Sequence, residues 1–455
     1  MKAPELLSPA GTLKTMRHAF AFGADAVYAG QPRYSLRARN NEFMNDNLAI
    51  GIQEAKTLGK KFFVAVNTMP HNSKVKTFLA DLDPIIQMKP DALIMADPGL
   101  IMMVKEKYPE QVLHLSVQMN TVNYAAAKFW QNQGIERIIL SRELSLNEVE
   151  EIRQQCPDLE LEVFVHGALC IAYSGRCLLS GYFNHRDPNQ GTCTNSCRWQ
   201  YKTHEAHEDA ENNLHIEAPE MLPTDALDIS NAMSVGVCGD QERHPLADKT
   251  YFLEEKNRPG ELMPVSEDEH GTYIMNSKDL RAVEHVKRLT EIGVDCLKIE
   301  GRTKSHYYAA RTAQVYRMAI DDAAAGRDFN PKYLGILENL ANRGYTDGFF
   351  ERHHTHEYQS YMENSSKSHK QQFVAEMISS DQAAGTIDVE VKNRFCVGDR
   401  LELVLPNGKN IDLTLASMQN LKDGEDMQVA PGSGYQVRLP IPNVDSDKAF
   451  LARYF

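Results

Sequence analysis

Short apolar runs recur along the first three hundred residues, at Glu5 to Leu7, Ala24 to Tyr28, Phe62 to Val66, Ala92 to Met95, Leu113 to Val117, Arg137 to Leu140, Leu161 to Val165 and Cys296 to Ile299. Their length and continuity suit strands covered on both faces. Amphipathic stretches lie between most of them, such as Leu48 to Leu58 and Leu146 to Gln155. The second is opened by Ser145 with Glu148 three residues on, the spacing of a capping box. Eight strand-then-helix units predict an α/β fold, a (β/α)8 TIM-like barrel ringed by helices, with its chemistry on the loops that follow the strands. A doubly wound open sheet shares this rhythm and is the alternative.

The rhythm breaks between the seventh and eighth runs and again after the eighth. The barrel is expected over 1–335 with an insertion at 167–270, whose later part, 202–270, has few periodic apolar positions and is expected to be partly flexible. A helix is expected from about Ser305 to Ala325, then a turn at Gly344-Tyr-Thr-Asp-Gly348 and a polar, histidine-rich linker within 336–370. From 371 to 455 the pattern becomes alternation, as in Thr386-Ile-Asp-Val-Glu-Val and Arg400-Leu-Glu-Leu-Val-Leu, with Pro406-Asn-Gly408 as a hairpin turn. That predicts a small C-terminal β-barrel-like domain.

With 455 residues, 42% hydrophobic and 24% charged, the chain is expected to be globular, with two or three domains. No apolar run approaches the about 18 residues needed to cross a bilayer, so no membrane partner is expected. The opening Met1 to Gly11 holds no apolar signal core, which points to the cytoplasm. The net charge of −13 argues at first sight against nucleic acid. Residues 202–270, however, hold 17 Asp/Glu and 5 Lys/Arg, so the acidity is regional and RNA stays open as a partner.

Four of the eight cysteines fall within 28 residues: Cys170, Cys177, Cys193 and Cys197, spaced C-x6-C, fifteen residues, then C-x3-C. Gly167, Gly175 and Gly191 permit the turns that would gather their sulfurs around one centre. An iron–sulfur cluster, structural zinc and disulfides all remain compatible with that spacing. Cys238 is a fifth thiol on the same connection and a competing ligand.

The run from Glu162 to Ser180 resembles the signature of the collagenase-like peptidase family U32, as do Leu-Ser-Pro-Ala-Gly at 7–11, Gly-Ala-Asp-Ala-Val-Tyr at 23–28, Asn-Ser-Lys-Asp-Leu at 276–280 and Leu-Lys-Ile-Glu-Gly-Arg at 297–302. Within the family, the overall length and the run Asp187-Pro-Asn-Gln-Gly-Thr-Cys-Thr-Asn-Ser-Cys-Arg-Trp199 are most similar to members that modify tRNA. The resemblance implies the barrel and a [4Fe–4S] cluster on Cys170, Cys177, Cys193 and Cys197. It also implies prephenate-dependent hydroxylation of the wobble uridine to 5-hydroxyuridine in the anticodon loop of tRNA, with no DNA partner. The family's older label, a peptidase, is the second reading, and a scaffold that binds RNA and uses metal only to hold a loop is the third.

Polar residues at the strand ends supply the candidate site. Tyr28, Asn67, Asp97, Gln118, Arg142, Glu143, Glu162, His166, Glu300 and Arg302 lie at or near carboxyl ends, where a barrel displays its chemistry. Strand parity places Glu162, Phe164 and His166 on one face, with Glu162 inside the barrel against a cation such as Lys298. A buried ion pair and a structural histidine are the plain alternatives for Glu162 and His166. After the second strand come Arg33, Arg37 and Arg39, whose planar guanidinium forks suit a carboxylate, although a solvated loop would look the same. The resemblance singles out Arg37 and, through prephenate, makes this loop with Arg142 and Arg302 a pocket for a small dicarboxylate. No H-E-x-x-H, G-x-S-x-G, Walker or G-x-G-x-x-G pattern is present.

Alanine at Cys170, Cys177, Cys193 or Cys197 should each lower iron per chain after anaerobic purification, whereas Cys238→Ala should keep it. Full iron in Cys197→Ala together with loss in Cys238→Ala would replace the fourth ligand.

Overall fold

A computed structural model describes residues 1–31, 33–36, 42–169, 173, 176, 279–342, 344–351, 371–441, 444 and 448–455, together with the backbones of 201–208, 214–216, 250–255 and 262–265. Eight parallel strands close into a barrel: β1 (Glu5–Pro9), β2 (Ala26–Gly30), β3 (Lys61–Val66), β4 (Ala92–Met95), β5 (Leu113–Leu115), β6 (Arg137–Ile139), β7 (Glu160–Ala168) and β8 (Cys296–Ile299). Each pairs with its neighbours in chain order, and β8 closes the circle by pairing with both β1 and β7. The open-sheet alternative is thereby excluded. Residues such as Leu6, Val27, Val64, Leu93 and Leu297 have no exposed surface, as parallel strands covered on both faces require.

Helices ring the barrel: α1 (Leu13–Ala21), α2 (Asn45–Thr57), α3 (Phe78–Gln87), α4 (Pro98–Lys107), α5 (Tyr124–Asn132), α6 (Leu146–Gln155), α7 (Val286–Ile292) and α8 (His306–Ala324). Their starts follow local chemistry. Ser145 and Glu148 form the full capping box of α6, and Asp97 caps α4 with Pro98 in its first turn. Ser305 caps α8 by accepting the Tyr308 N–H.

The C-terminal region is an eight-stranded antiparallel sheet, ordered 411–414, 400–404, 450–454, 371–381, 386–391, 436–439, 418–420 and 426–427. The expected hairpin lies between 400–404 and 411–414, with Gly408 in the left-handed region at φ 73°. The sheet has its own core around Val389, Leu401, Leu403, Val437 and Leu451. Phe450 instead joins the barrel core, against Phe22, Tyr307 and Phe373.

Residues Cys197–Asn276 form a second compact unit. Its described part is an antiparallel sheet in the order 262–265, 250–255, 201–208, 214–216. The sequence signal there was weak because Tyr201-Lys-Thr-His-Glu-Ala-His-Glu208 has Ala206 as its one aliphatic residue, and one of its two pairing partners lies more than forty residues away.

A buried ion pair joins the barrel to the C-terminal sheet. The Arg311 guanidinium on α8, 1% exposed, donates to both oxygens of Glu402 at 2.7 and 2.6 Å, and Gln371 and Asn410 donate to the same carboxylate. Arg311→Leu leaves that carboxylate underpaired and should cost about 3–5 kcal/mol, whereas the double change Arg311→Leu with Glu402→Leu should recover most of the loss. Denaturant midpoints at constant slope would check this.

Candidate active site

The interior of the barrel carries charge, so its pairing sets the site. Glu162 on β7 has no exposed surface; its Oε1 accepts from Lys298 Nζ at 2.6 Å and its Oε2 from Arg137 Nη1 at 3.4 Å. The pairing with Lys298 is the one that parity predicts. Arg137 also reaches Glu5 at 2.7 Å and Glu160, so β1, β6, β7 and β8 share one ionic layer. Above this layer Lys298 Nζ lies over the Tyr28 ring at 4.3 Å and the Phe164 ring at 5.4 Å.

A pocket opens at the carboxyl ends of the strands, lined by Tyr28, Asn67, Ser116, Gln118, Arg142, Phe164, Lys298, Glu300 and Arg302 with a few aliphatic residues. Three cations thus face one lining carboxylate. Arg142 stacks on Phe164 at 3.9 Å, donates to the Ala168 carbonyl at 3.2 Å and lies 3.6 Å from Glu300. Arg302 donates to Ser35 Oγ at 2.7 Å. The Tyr28 hydroxyl donates to the Ile299 carbonyl at 3.0 Å and reaches Glu300 Oε2 at 3.3 Å. Burial first, and then the Glu300 charge, push this phenol well above its usual range, so it serves as a neutral donor. Such a lining offers charge-assisted donors within a wall of aromatic and amide groups.

Arg142, Glu300 and Arg302, named from sequence, therefore converge. Glu162 does not line the pocket; it holds Lys298 there. Glu143 takes a hydrogen bond from Ser141 and stands outside the lining. Tyr28, Asn67 and Gln118, also placed at strand ends from sequence, line the pocket as well, whereas Asp97 does not; Lys298 was legible only as a partner for Glu162, and Ser116 carried no signal.

His166 corrects the parity argument. The β7–β8 register passes from Lys298 opposite Phe164 to Ile299 opposite His166, so Val165 is the extra residue of a β-bulge. The slip turns His166 away from the Glu162 face, onto Tyr316 and Tyr308 of α8 and Tyr345, with ring centroids at 5.5, 5.9 and 5.5 Å. Burial, helped by Arg281 and Lys304, pushes its pKa down to about 3, so it stays neutral at physiological pH. The next residue, Gly167, adopts φ 102°, and a Cβ there would meet the Glu300 carbonyl at 2.5 Å.

Arg37, Arg39, Cys170, Cys177, Cys193, Cys197 and Cys238 lie outside the described residues. Arg33 pairs with Asp81 at 2.8 Å and is half-exposed, away from the pocket lining. Burial pushes the Cys156 and Cys296 thiols up, which suits them to packing rather than ligation. Among the described residues Glu284, His285 and Asp347 bring ligand atoms within 4.8 Å of one another, but His285 already pairs with Asp347 at 3.2 Å.

Two family models match: Peptidase family U32 over residues 11–360 and Peptidase family U32 C-terminal domain over 369–453. The chain is 59% identical to tRNA hydroxylation protein P of Escherichia coli K12 across 100% of this chain and 98% of that one. It is 57% identical to the protein of the same name from Haemophilus influenzae across 99% and 96%. The 23S rRNA 5-hydroxycytidine C2501 synthase of Escherichia coli K12 is 29% identical over 76% of this chain and 45% of that one.

Gly30 lets Arg302 approach, since a Cβ there would lie 2.1 Å from Arg302 Nη1 and 2.4 Å from Ser35 Oγ. Gly30→Ala should cost about 1–3 kcal/mol by overpacking and displace the guanidinium. Denaturant titration would read the first effect, and calorimetry with small carboxylates, expected to bind more weakly, the second.

Proposed function

This chain belongs to peptidase family U32, and we propose that it is a tRNA-modifying enzyme that hydroxylates the wobble uridine to 5-hydroxyuridine, with prephenate as co-substrate. The observation that carries the reading is end-to-end similarity to two tRNA hydroxylation proteins. The cationic pocket at the barrel mouth supports a dicarboxylate, because Arg142, Lys298 and Arg302 supply charge-assisted donors at low exposure.

Cys170, Cys177, Cys193 and Cys197 would hold the [4Fe–4S] cluster, a donor set of four thiolates that suits iron–sulfur ligation and would supply electron transfer when bound. The rest of the site binds and orients. Arg142 and Lys298 take the anion's charge, with Glu162 beneath Lys298 holding the ammonium in place. Tyr28 keeps Glu300 turned to the same space. The target base must leave its stack, and an anticodon loop, whose bases are already splayed, makes that inexpensive. The acidic span 202–270 leaves RNA contact to the barrel mouth, with the C-terminal sheet a near-neutral second face at 10 Lys/Arg and 12 Asp/Glu from residue 367 on. The peptidase reading has less behind it: among the described lining residues no histidine stands beside Ser116 to activate it.

Arg142→Ala should abolish prephenate-dependent 5-hydroxyuridine in total tRNA while leaving iron per chain unchanged, since losing one pair to a buried anion costs roughly 2–5 kcal/mol. Arg302→Ala and Arg37→Ala should behave alike, and Arg142→Lys should restore little, because it keeps the charge without the fork. Normal modification in all three alanine variants would remove the pocket from the mechanism. Affinity for tRNA should fall steeply with added salt.

A further inference from the structure

Gln118 is left over by both the fold and the anion-binding cations. It sits on a short 3-10 turn, Val117–Met119, directly after β5, closed by Asn120 in the left-handed conformation at φ 49°. Its side chain lines the pocket and the residue is 1% exposed. Oε1 accepts from Ser116 Oγ at 3.1 Å. Nε2 is buried and has no hydrogen-bond partner among the described residues. With Oε1 engaged, the NH2 group is what this side chain has left to offer a ligand.

A buried amide donor without a partner is unfavourable, and core glutamines ordinarily have theirs satisfied. Here the unsatisfied donor lines the same cavity as Arg142, Lys298 and Arg302. A bound oxygen would satisfy it and be selected by it, since a site with a waiting donor rejects molecules that offer no acceptor. We propose that Gln118 is a binding and specificity residue that donates from Nε2 to an acceptor oxygen of the small acid, a keto or carboxylate oxygen, while the cations take its charge. The ligand class is an oxygen-rich acid with acceptors at more than one end, as opposed to a monoacid with an alkyl end. This rests on the reading that the pocket takes an anionic co-substrate.

The test uses the full chain carrying Gln118→Leu, close in volume and without a donor. Two readouts are followed: thermal unfolding without added acid, and 5-hydroxyuridine formation on tRNA as prephenate is varied. The variant should unfold at a temperature no lower than the parent, because it no longer strands an amide. It should need on the order of ten-fold more prephenate for half-maximal modification, with a far smaller fall in the rate at saturation. Gln118→Glu, which sets a carboxylate against the anion, should be weaker still. An unchanged half-saturation point in Gln118→Leu overturns the assignment. So does parallel loss of thermal stability and activity, which would make Gln118 a structural group. A parent enzyme whose modification ignores prephenate would instead overturn the proposed co-substrate, and this ligand with it.

Discussion

The carboxylate of Glu162 is the constraint around which the barrel is arranged. A charge with no exposed surface must be paired, and removing either partner strands the other at a cost of several kcal/mol. Glu162 takes Lys298 from β8 and Arg137 from β6, and Arg137 extends the layer to Glu5 on β1. The ionic layer therefore spans the seam where the first and last strands meet. Its second effect is positional, because an ammonium tied at 2.6 Å to Glu162 has little freedom left and presents its charge at the pocket floor between Tyr28 and Phe164. An apolar layer could fill the same volume, but it would not deliver a fixed cation to the mouth.

A single extra residue divides that interior from the shell outside it. Up to Phe164 the side chains of β7 obey the barrel's alternation; after the bulge at Val165, His166 belongs to the tyrosines of α8. Beyond the bulge β7 keeps β8, with His166 opposite Ile299, and also pairs antiparallel with Asp279–Arg281, joining Ala168 to Asp279 and His166 to Arg281. Gly167 is needed at this departure because the Glu300 carbonyl passes too close for any Cβ. The exit of the chain toward the cysteine-bearing segment and the position of Glu300 in the pocket are thus parts of one local geometry.

Helix α8 links the site to the C-terminal sheet. It begins four residues after Arg302, lends the Tyr308 hydroxyl to the Glu300 carbonyl at 3.0 Å, and in its second turn buries Arg311 against Glu402. Lys14 of α1 and His306 of α8 meet Glu376 of the sheet at 2.6 and 3.2 Å. Burial pushes the Glu376 carboxyl up, but these hydrogen bonds and charges outweigh it and hold the pKa at about 2, below its ordinary 4.5. A carboxylate depressed in the folded state contributes stability above about pH 4.5 that is lost as pH falls toward 2, so this contact between barrel and sheet weakens in acid.

All eight barrel strands and the capping box of α6 were legible in the sequence, because buried parallel strands are continuous apolar runs and caps are local in the chain. The convergence of Arg142, Glu300 and Arg302 was legible for a related reason: a closed barrel brings every strand's carboxyl end to one mouth, so position along a strand predicts proximity in space. What depended on register was not legible. The bulge that turns His166 outward adds one residue without altering composition, and parity fails silently there. The sheet within 197–276 pairs distant segments without aliphatic alternation, and the Arg311–Glu402 clamp joins residues 91 positions apart. The unsatisfied amide of Gln118 belongs to the same class, since whether a donor finds an acceptor is decided by everything packed around it. Sequence alone determined the elements and the end of the barrel where chemistry gathers; the tertiary structure decided which polar groups are spent on one another and which are left for a ligand, because that is a property of neighbours the chain brings in from elsewhere.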